Sequence, residues 1–590
     1  MTSMRRPNSL EKPAQAHPTI CLNMIVRNEA HIVREVLDSV APFIASWVIV
    51  DTGSDDGTQN VISAHMADLG IPGEIHERPW HDFGRNRTEA LTLARGHSDY
   101  IWVIDADDLL VGTPNFNGLT ADVYQLRYGP GTTYWRRQLF RDGLPWRYEG
   151  VLHEYADCGV PFVEDSLAGP YYIESRRLGG RSLDPLKYAH DAQLLLAEVE
   201  REPDNQRSVF YLAQSYFDAG DFANAHRWYE RRAEMGGFDE EVYYSLNRVA
   251  ESMSHLGEPW PAVQDAYLRA WEFRRTRAEP LHHIAHHYRS NQRYELGYLF
   301  AERAAQIPMP TGDVLFVGSE VYAWRALDEQ AVCASWTGRQ AEALALCRRL
   351  LARDDLPDDA RQRIAGNRDH VAQNMIEAAV EYPREIARSL VAGSFDAEVT
   401  VTLVAGPDRT VTEATLNSLL NCCLDVSRVG RAVIVDVGLS VQDRLELLER
   451  YRFLDFHPGA QGTGLGDIRG LIGGRFWLHL GEGWRFFAPD LLIGRLTAVL
   501  EAEPEVFQVG INLNDATQLN GASAPETSVR RTDGAGRYLL TASAISGPAM
   551  FDTARLDREA NNYEALAAGQ QAASVLHTAT LDEVLCVAQH

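Results

Sequence analysis

Short apolar runs and amphipathic stretches alternate along the first hundred residues. Thr19 to Val26 and Ser46 to Val50 are largely apolar, Ile75–Glu77 is shorter, and Tyr100 to Ile104 is apolar or aromatic throughout. Runs of this length between turn residues predict buried strands. Between them Ile32, Val36, Leu37 and Val40 recur at helical spacing. A second helix runs through Val61 and Ile62, with Thr58 placed to cap it, and a third carries Arg85, Asn86, Arg87 and Leu91. Strand and helix alternating in this way predict a parallel sheet in an α/β domain, with ligands at the carboxyl ends of its strands. We place that domain at 19–183, after a polar lead at 1–18 expected to be disordered.

The pattern then changes twice. From 184 to 390 it is helical throughout. Ala213 with Ala225, Ala250 with Ala262, Ala285 with Gly297 and Ala331 with Ala343 keep one twelve-residue offset, as paired helices in close contact require. Four tetratricopeptide-like (TPR) repeats are expected, either as a surface for a protein partner or as a spacer. Strands return at 395–555, where Ala432-Val-Ile-Val-Asp436 repeats the form of Trp47-Val-Ile-Val-Asp51. Residues 556–590 are read as a helical tail.

A net charge of -26 argues against general nucleic-acid binding. The seven cysteines show no ligand spacing and read as buried thiols of a reducing, cytoplasmic compartment. No stretch approaches the roughly 18 uninterrupted apolar residues of a membrane span. His282, His283, His286 and His287 have helical spacing but no acidic or cysteine partner nearby, so they read as a helix face.

Asp105, Asp107 and Asp108 follow the fourth strand directly. Three crowded carboxylates call for compensation, either by solvent in an open turn or by a hard cation such as Mg2+ or Mn2+. Asp51 and the Arg85-Asn86 pair fall on the same edge. Aromatic residues crowd 120–175, most of them suited to a core, with Trp146 and Tyr148 expected to be the more exposed. Arg176, Arg177, Arg181 and Lys187 form a basic stretch, either a loop that closes over an anionic ligand or, the reading preferred here, a solvated linker.

The succession MIVRNEA, VIVDTGSDDGT, DFGRNRTEAL and WVIDADD resembles the inverting family 2 glycosyltransferases of GT-A fold, closest to bacterial members that carry TPR repeats. The resemblance implies an α/β GT-A (Rossmann-like) N-terminal domain, an all-α TPR-like array and a C-terminal α/β GT-A-like domain. The last is read as degenerate, because only Glu482 keeps a carboxylate in Gly481-Glu482-Gly483.

It also implies a hexosyltransferase moving sugar from a nucleoside diphosphate sugar to a peptide, glycan or lipid-linked glycan such as a lipopolysaccharide core. Asp51, Arg85 and Asp105 would bind the nucleotide sugar, with Asn28 and Glu29 shaping the pocket. Glu29 reads equally as a helix N-terminal carboxylate. Asp107, His153 and Asp105 would hold Mn2+ or Mg2+ in a DXD-type site, and Glu154 or Glu149 would be the general base. The alternatives are a non-catalytic repeat scaffold and, more distantly, a nucleotidyltransferase.

Overall fold

The computed structural model describes residues 18–129, 134–176, 178, 185–313, 315–460, 462–559 and 576–589. Residues 1–17 of the expected lead at 1–18 and the boundary near 183 lie outside these. The chain divides into two units, residues 1–280 with 309–319, and residues 281–308 with 320–590. Among the described residues no helix is long and apolar enough to cross a membrane. All seven cysteines are buried and free.

The first unit opens as strand–helix alternation predicts, with β1 (Ile20–Val26), α1 (Val33–Val40), β2 (Ser46–Asp51), α2 (Thr58–Asp68), β3 (Gly73–Glu77), α3 (Phe83–Leu93) and β4 (Tyr100–Val103). Then come β5 (Asp108–Gly112), β6 (Val123–Tyr128), β7 (Tyr134–Arg141), β8 (Arg147–Glu149), β9 (Tyr155–Asp157), β10 (Glu164–Ser166) and β11 (Tyr171–Ser175). The sheet runs β3-β2-β1-β4-β7-β6-β11-β5, with β10 beside β6. β3, β2, β1 and β4 are parallel, and β7 returns antiparallel against β4. Strand order thus reverses between β1 and β4, which opens a crevice at their carboxyl ends. Thr58 is not the cap of α2; Gly57 holds that position at φ +86°, in the left-handed region open to glycine.

Helices α4 (Lys187–Arg201), α5 (Gln206–Asp218), α6 (Phe222–Glu234), α7 (Asp239–His255) and α8 (Trp260–Phe273) complete this unit, with the first residues of α9 (Glu279–Ser290). The rest of α9 belongs to the second unit with α10 (Tyr294–Ala305), α11 (Ala326–Trp336), α12 (Gln340–Leu351), α13 (Asp358–Gln373) and α14 (Arg384–Ser389). The small residues do what their spacing asks in three pairs: Ala213, Ala225, Ala285, Ala331 and Ala343 are buried, and a Cβ on Gly297 would lie 2.7 Å from Cys333 Sγ. The exception is Ala262, which is exposed while Val263 turns inward. In the histidine run, His282 is buried and pushed down to about 3 by burial, and His286 Nδ1 sits 2.9 Å from Glu329 Oε1.

The second unit continues with β12 (Val399–Ala405), α15 (Arg409–Cys422), β13 (Arg431–Asp436), α16 (Val441–Arg450), β14 (Leu454–Pro458), α17 (Leu465–Arg469), β15 (Phe476–Leu480), β16 (Trp484–Phe486) and α18 (Leu492–Ala502). Its remaining strands are β17 (Gln508–Gly510), β18 (Arg530–Thr532), β19 (Gly536–Thr541), β20 (Ala549–Asp552), β21 (Thr578–Leu581) and β22 (Cys586–Ala588). The sheet order is β14-β13-β12-β15-β20-β17-β21-β19-β18. Its first four strands are parallel and repeat the β3-β2-β1-β4 arrangement. The expected helical tail is corrected. β21 is wholly buried between β17 and β19, and β22 pairs with β16. Thr578-Ala-Thr-Leu suits a strand covered on both faces. Residues 560–575 lie outside the described set.

His479 on β15 carries a pH prediction. Its Nδ1 is 2.8 Å from Thr402 Oγ1, which already accepts from Trp477 Nε1 at 2.8 Å and so has its own proton to give. Burial pushes the ring down to about 4, below the ordinary value near 6.5. As pH falls through 6.5 the unfolded chain takes the proton first, so stability is lost from about pH 6.5 towards 4 and is level above. Melting temperatures should therefore fall less steeply over that window in His479→Gln than in the unaltered chain. Equal slopes would refute this.

Candidate active site

The rim of the first sheet is built by the residues just past β1, β2 and β4. Val26 pairs with Asp51, and Asn23 with Val103, so Asp51 and Asp105 end at one level on the same edge. Two strand spacings, about 10 Å, separate them. The turns beyond β1 and β2 are laced together. Asn28, at φ +58°, donates its N–H to Ser54 Oγ and accepts from Asp55 N–H, both at 2.9 Å. Glu29 N–H donates to Thr58 Oγ1 and Ala30 N–H to Asp56 Oδ2. Asn28 thus shapes the rim through its N–H and its side-chain Oδ1, and Glu29 through its N–H.

Asp51 is 1% exposed. Its Oδ1 accepts from Gly53 N–H at 2.9 Å and Ser54 N–H at 2.8 Å, which fixes the carboxylate. Its Oδ2 is buried and has no hydrogen-bond partner. A buried carboxylate oxygen without a donor is costly unless a ligand supplies one.

The arginine behind the acidic run is Arg87, two residues beyond Arg85, which was expected at the nucleotide sugar. Arg85 projects exposed from α3, where its N–H is capped by Asp82. Asn86 is buried and ties down Pro79 and His81. Arg87 is buried, with Nη2 2.5 Å from Asp105 Oδ1 and Nε 2.7 Å from Glu154 Oε1. Arg136 approaches Asp105 at 3.4 Å. Burial raises the Asp105 pKa, but the two guanidinium charges outweigh it and hold it down to about 2. Asp108 turns into the core and bonds Tyr128 OH at 2.7 Å, and burial with the nearby Asp105 charge pushes it up to about 7. So the three crowded carboxylates are compensated mainly from within the protein.

The expected metal trio of Asp105, Asp107 and His153 does not assemble, since no group of three or more His, Cys, Asp and Glu able to hold a metal exists among the described residues. Asp105 is committed to arginines. The His153 ring, at φ +53°, stacks on Tyr211 of α5, 3.9 Å between centroids and 11° between planes. Arg207 of the same helix donates to the His153 carbonyl at 2.9 Å. Asp107 lies half-buried at the rim. One carboxylate is the least that Mg2+ or Mn2+ takes from a protein, and its other ligands must then come from water and substrate phosphate.

Beside Asp107 stands Arg176, which is more than the solvated linker expected. Its side chain is 14% exposed, its Nε donates to the Asp107 carbonyl at 3.3 Å and its Nη1 pairs with Glu35. Its Nη2 is buried with no hydrogen-bond partner. Arg177 and Arg181 lie outside the described residues. Of the two base candidates, Glu154 is buried on Arg87, while Glu149 is 41% exposed and paired with Arg147. Their loop is pinned to α3, because a Cβ on Gly84 would lie 2.3 Å from the Gly150 carbonyl. Trp146, expected at the surface, is 2% exposed against Phe140 and Phe162, and Tyr148 is half-buried.

Residues 21–111 match the family model described as glycosyl transferase family 2. The matched stretch contains the rim residues Asn28, Glu29, Asp51, Arg85, Arg87, Asp105 and Asp107. The chain is 25% identical over 254 residues to a TPR repeat-containing protein of Synechococcus elongatus, covering 40% of this chain and 60% of that protein. It is 32% identical over 93 residues to the SPbeta prophage-derived glycosyltransferase SunS of Bacillus subtilis, 16% of this chain and 21% of SunS. Among solved structures, MamA is 14% identical with a TM-score of 0.23, covering 28% of this chain and 87% of that one. The chain thus carries a family 2 glycosyltransferase domain at its N-terminal end, followed by paired helices.

In the second sheet Asp436 stands where Asp51 does, its Oδ1 accepting from Gly438 and Leu439 N–H. Its Oδ2, however, is taken by Arg444. The pairings of β4 and β15 set Gly481 and Gly483 at the positions of Asp105 and Asp107.

Proposed function

We propose that this protein is an inverting glycosyltransferase that moves a sugar from a nucleoside diphosphate sugar to a peptide, glycan or lipid-linked glycan acceptor. The observation that carries the reading is Asp51 Oδ2, a buried acceptor with no donor, inside the stretch that matches the family. It suits an N–H of the base or a ribose hydroxyl. Arg176 Nη2, the unfilled donor beside Asp107, suits a phosphate oxygen, a better match for the diphosphate than exposed Arg85. Asp107 is the residue that would hold Mn2+ or Mg2+, whose charge, when bound, offsets that on the departing diphosphate.

Arg87 keeps Asp105 and Glu154 fixed behind that rim. The Glu154 charge is engaged there, so Glu149, the accessible carboxylate, is our choice for taking the acceptor proton. We read the second sheet as a GT-A-like domain without a donor site, since Arg444 fills the place a nucleotide would take on Asp436 and glycines replace both rim carboxylates.

The deciding assay is donor hydrolysis across a set of nucleotide sugars, with and without Mn2+, on the unaltered chain and on Asp107→Ala. Release of a nucleoside diphosphate, lost in the variant, is expected; no turnover with any donor would sink the reading. The stacking of Tyr211 on His153 adds a prediction. Tyr211→Leu frees the loop that holds Glu154, so turnover should fall about tenfold, within the range that misplacing a catalytic loop produces. Donor affinity should stay unchanged. A matching loss of affinity would place Tyr211 elsewhere in the scheme.

A further inference from the structure

Residues 309–319 fall between α10 and α11 in sequence yet belong to the first unit. Their contacts there are those of a bound peptide. Leu315 N–H donates to Glu240 Oε2 at 2.7 Å and Gly318 N–H to Glu279 Oε1 at 3.0 Å. The Phe316 carbonyl accepts from Arg277 Nη2 at 3.0 Å and the Leu315 carbonyl from Arg277 Nη1 at 3.4 Å. These bonds use main-chain groups, so any segment of the same course could make them.

Two side chains add selectivity. The Asp313 carboxylate is forked by Arg274 at 2.7 and 2.5 Å and reached by Arg277 at 3.2 Å. The Phe316 ring packs on Tyr244 at 5.0 Å and over Phe210 at 6.4 Å. Arg277 is 1% exposed; Glu279 meets its charge at 2.8 Å and Asp313 adds a second carboxylate at 3.2 Å. Phe316 is nevertheless 46% exposed and held at φ +44°, a conformation a bulky residue adopts only under constraint. The occupant is anchored by strong charge-assisted bonds, yet strained and half open at its aromatic end. That combination marks a segment that another can replace.

We propose that Phe210, Glu240, Tyr244, Arg274, Arg277 and Glu279 form a site for a peptide of a partner protein, one bearing a carboxylate three residues ahead of an aromatic ring. In the free protein this chain's own Asp313, Leu315 and Phe316 occupy that site. A segment tethered at both ends competes at an effective concentration on the order of millimolar, so a peptide in trans is screened out until the strap is weakened.

The test uses the full chain and a fluorescein-labelled peptide with the sequence of residues 311–319. The Asp313→Ala/Phe316→Ala chain should bind the peptide saturably and at least tenfold more tightly than the unaltered chain. Adding Arg274→Gln to that chain, or replacing the aspartate of the peptide by alanine, should weaken binding tenfold or more. No saturable binding to the folded double variant overturns the proposal, as does equal binding to both chains. If the double variant fails to fold, amide exchange on the unaltered chain decides. Opening of the Leu315 and Gly318 amides well before the core amides of α7 supports a replaceable occupant, and exchange only with global unfolding overturns it.

Discussion

Asp51→Asn should weaken nucleoside diphosphate binding about 10- to 100-fold, the loss expected when a hydrogen bond to a charged group is removed. The substitution is chosen to leave the fold alone. The side-chain amide keeps an oxygen for Gly53 and Ser54 N–H, so the turn past β2 is retained. It places an NH2 where Oδ2 stood, and that group repels the ligand donor that the buried oxygen lacks in the free protein. A nucleotide at 100 times its Kd should add about 2.7 kcal/mol to the stability of the unaltered chain, and most of that shift should vanish in the variant. UDP and GDP tested side by side would also show which base the rim prefers. Asp436→Asn is the internal control: Arg444 already engages that carboxylate, so the nucleotide shift should not change. Equal shifts in the unaltered chain and Asp51→Asn would remove Asp51 from the site.

The strand–helix alternation of the first domain was legible because each strand is an uninterrupted apolar run ended by a turn, and the rim carboxylates follow those runs directly. Asp51 and Asp105 therefore fall on one edge, as their places after β2 and β4 required. The inward place of Arg87 was also legible, but it needed the phase of α3. Arg87 lies four residues before buried Leu91 and three before buried Ala90, on the inward face, whereas Arg85 does not. Helical phase, applied to a charged residue as strictly as to an apolar one, selects Arg87.

Other features were out of reach. That His153 would stack on Tyr211, or that Arg176 would reach the Asp107 carbonyl, depends on contacts across 58 and 69 positions that no local pattern encodes. The tail was misread because β21 and β22 are short strands that complete a sheet begun far earlier in the chain. Their buried faces have meaning only beside β17, β19 and β16.

Arg87→Met should lower stability by about 3–5 kcal/mol, the cost of removing one partner from a buried ion pair. Two carboxylates depend on this guanidinium, and Glu154 has only 8% of its side chain exposed. Methionine fills much the same length but offers neither charge nor donor. Asp105 would keep Arg136, at 3.4 Å, so the larger share of the loss falls on Glu154. This asymmetry makes the prediction specific. Adding Glu154→Gln to Arg87→Met removes the stranded charge and should recover part of the loss, whereas Glu154→Gln alone should destabilise, because it leaves Arg87 half-paired. For a unit of this size the single Met variant should melt about 5–8 °C below the unaltered chain. Arg87→Lys should fall between the two, since an ammonium keeps the charge but cannot fork to both carboxylates. A Met variant within about 1 kcal/mol of the unaltered chain, the worth of an ordinary surface pair, would mean that solvent reaches these groups. In that case no fixed array would stand behind the rim, and Arg87 would have no part in holding Asp105 and Glu154 in place.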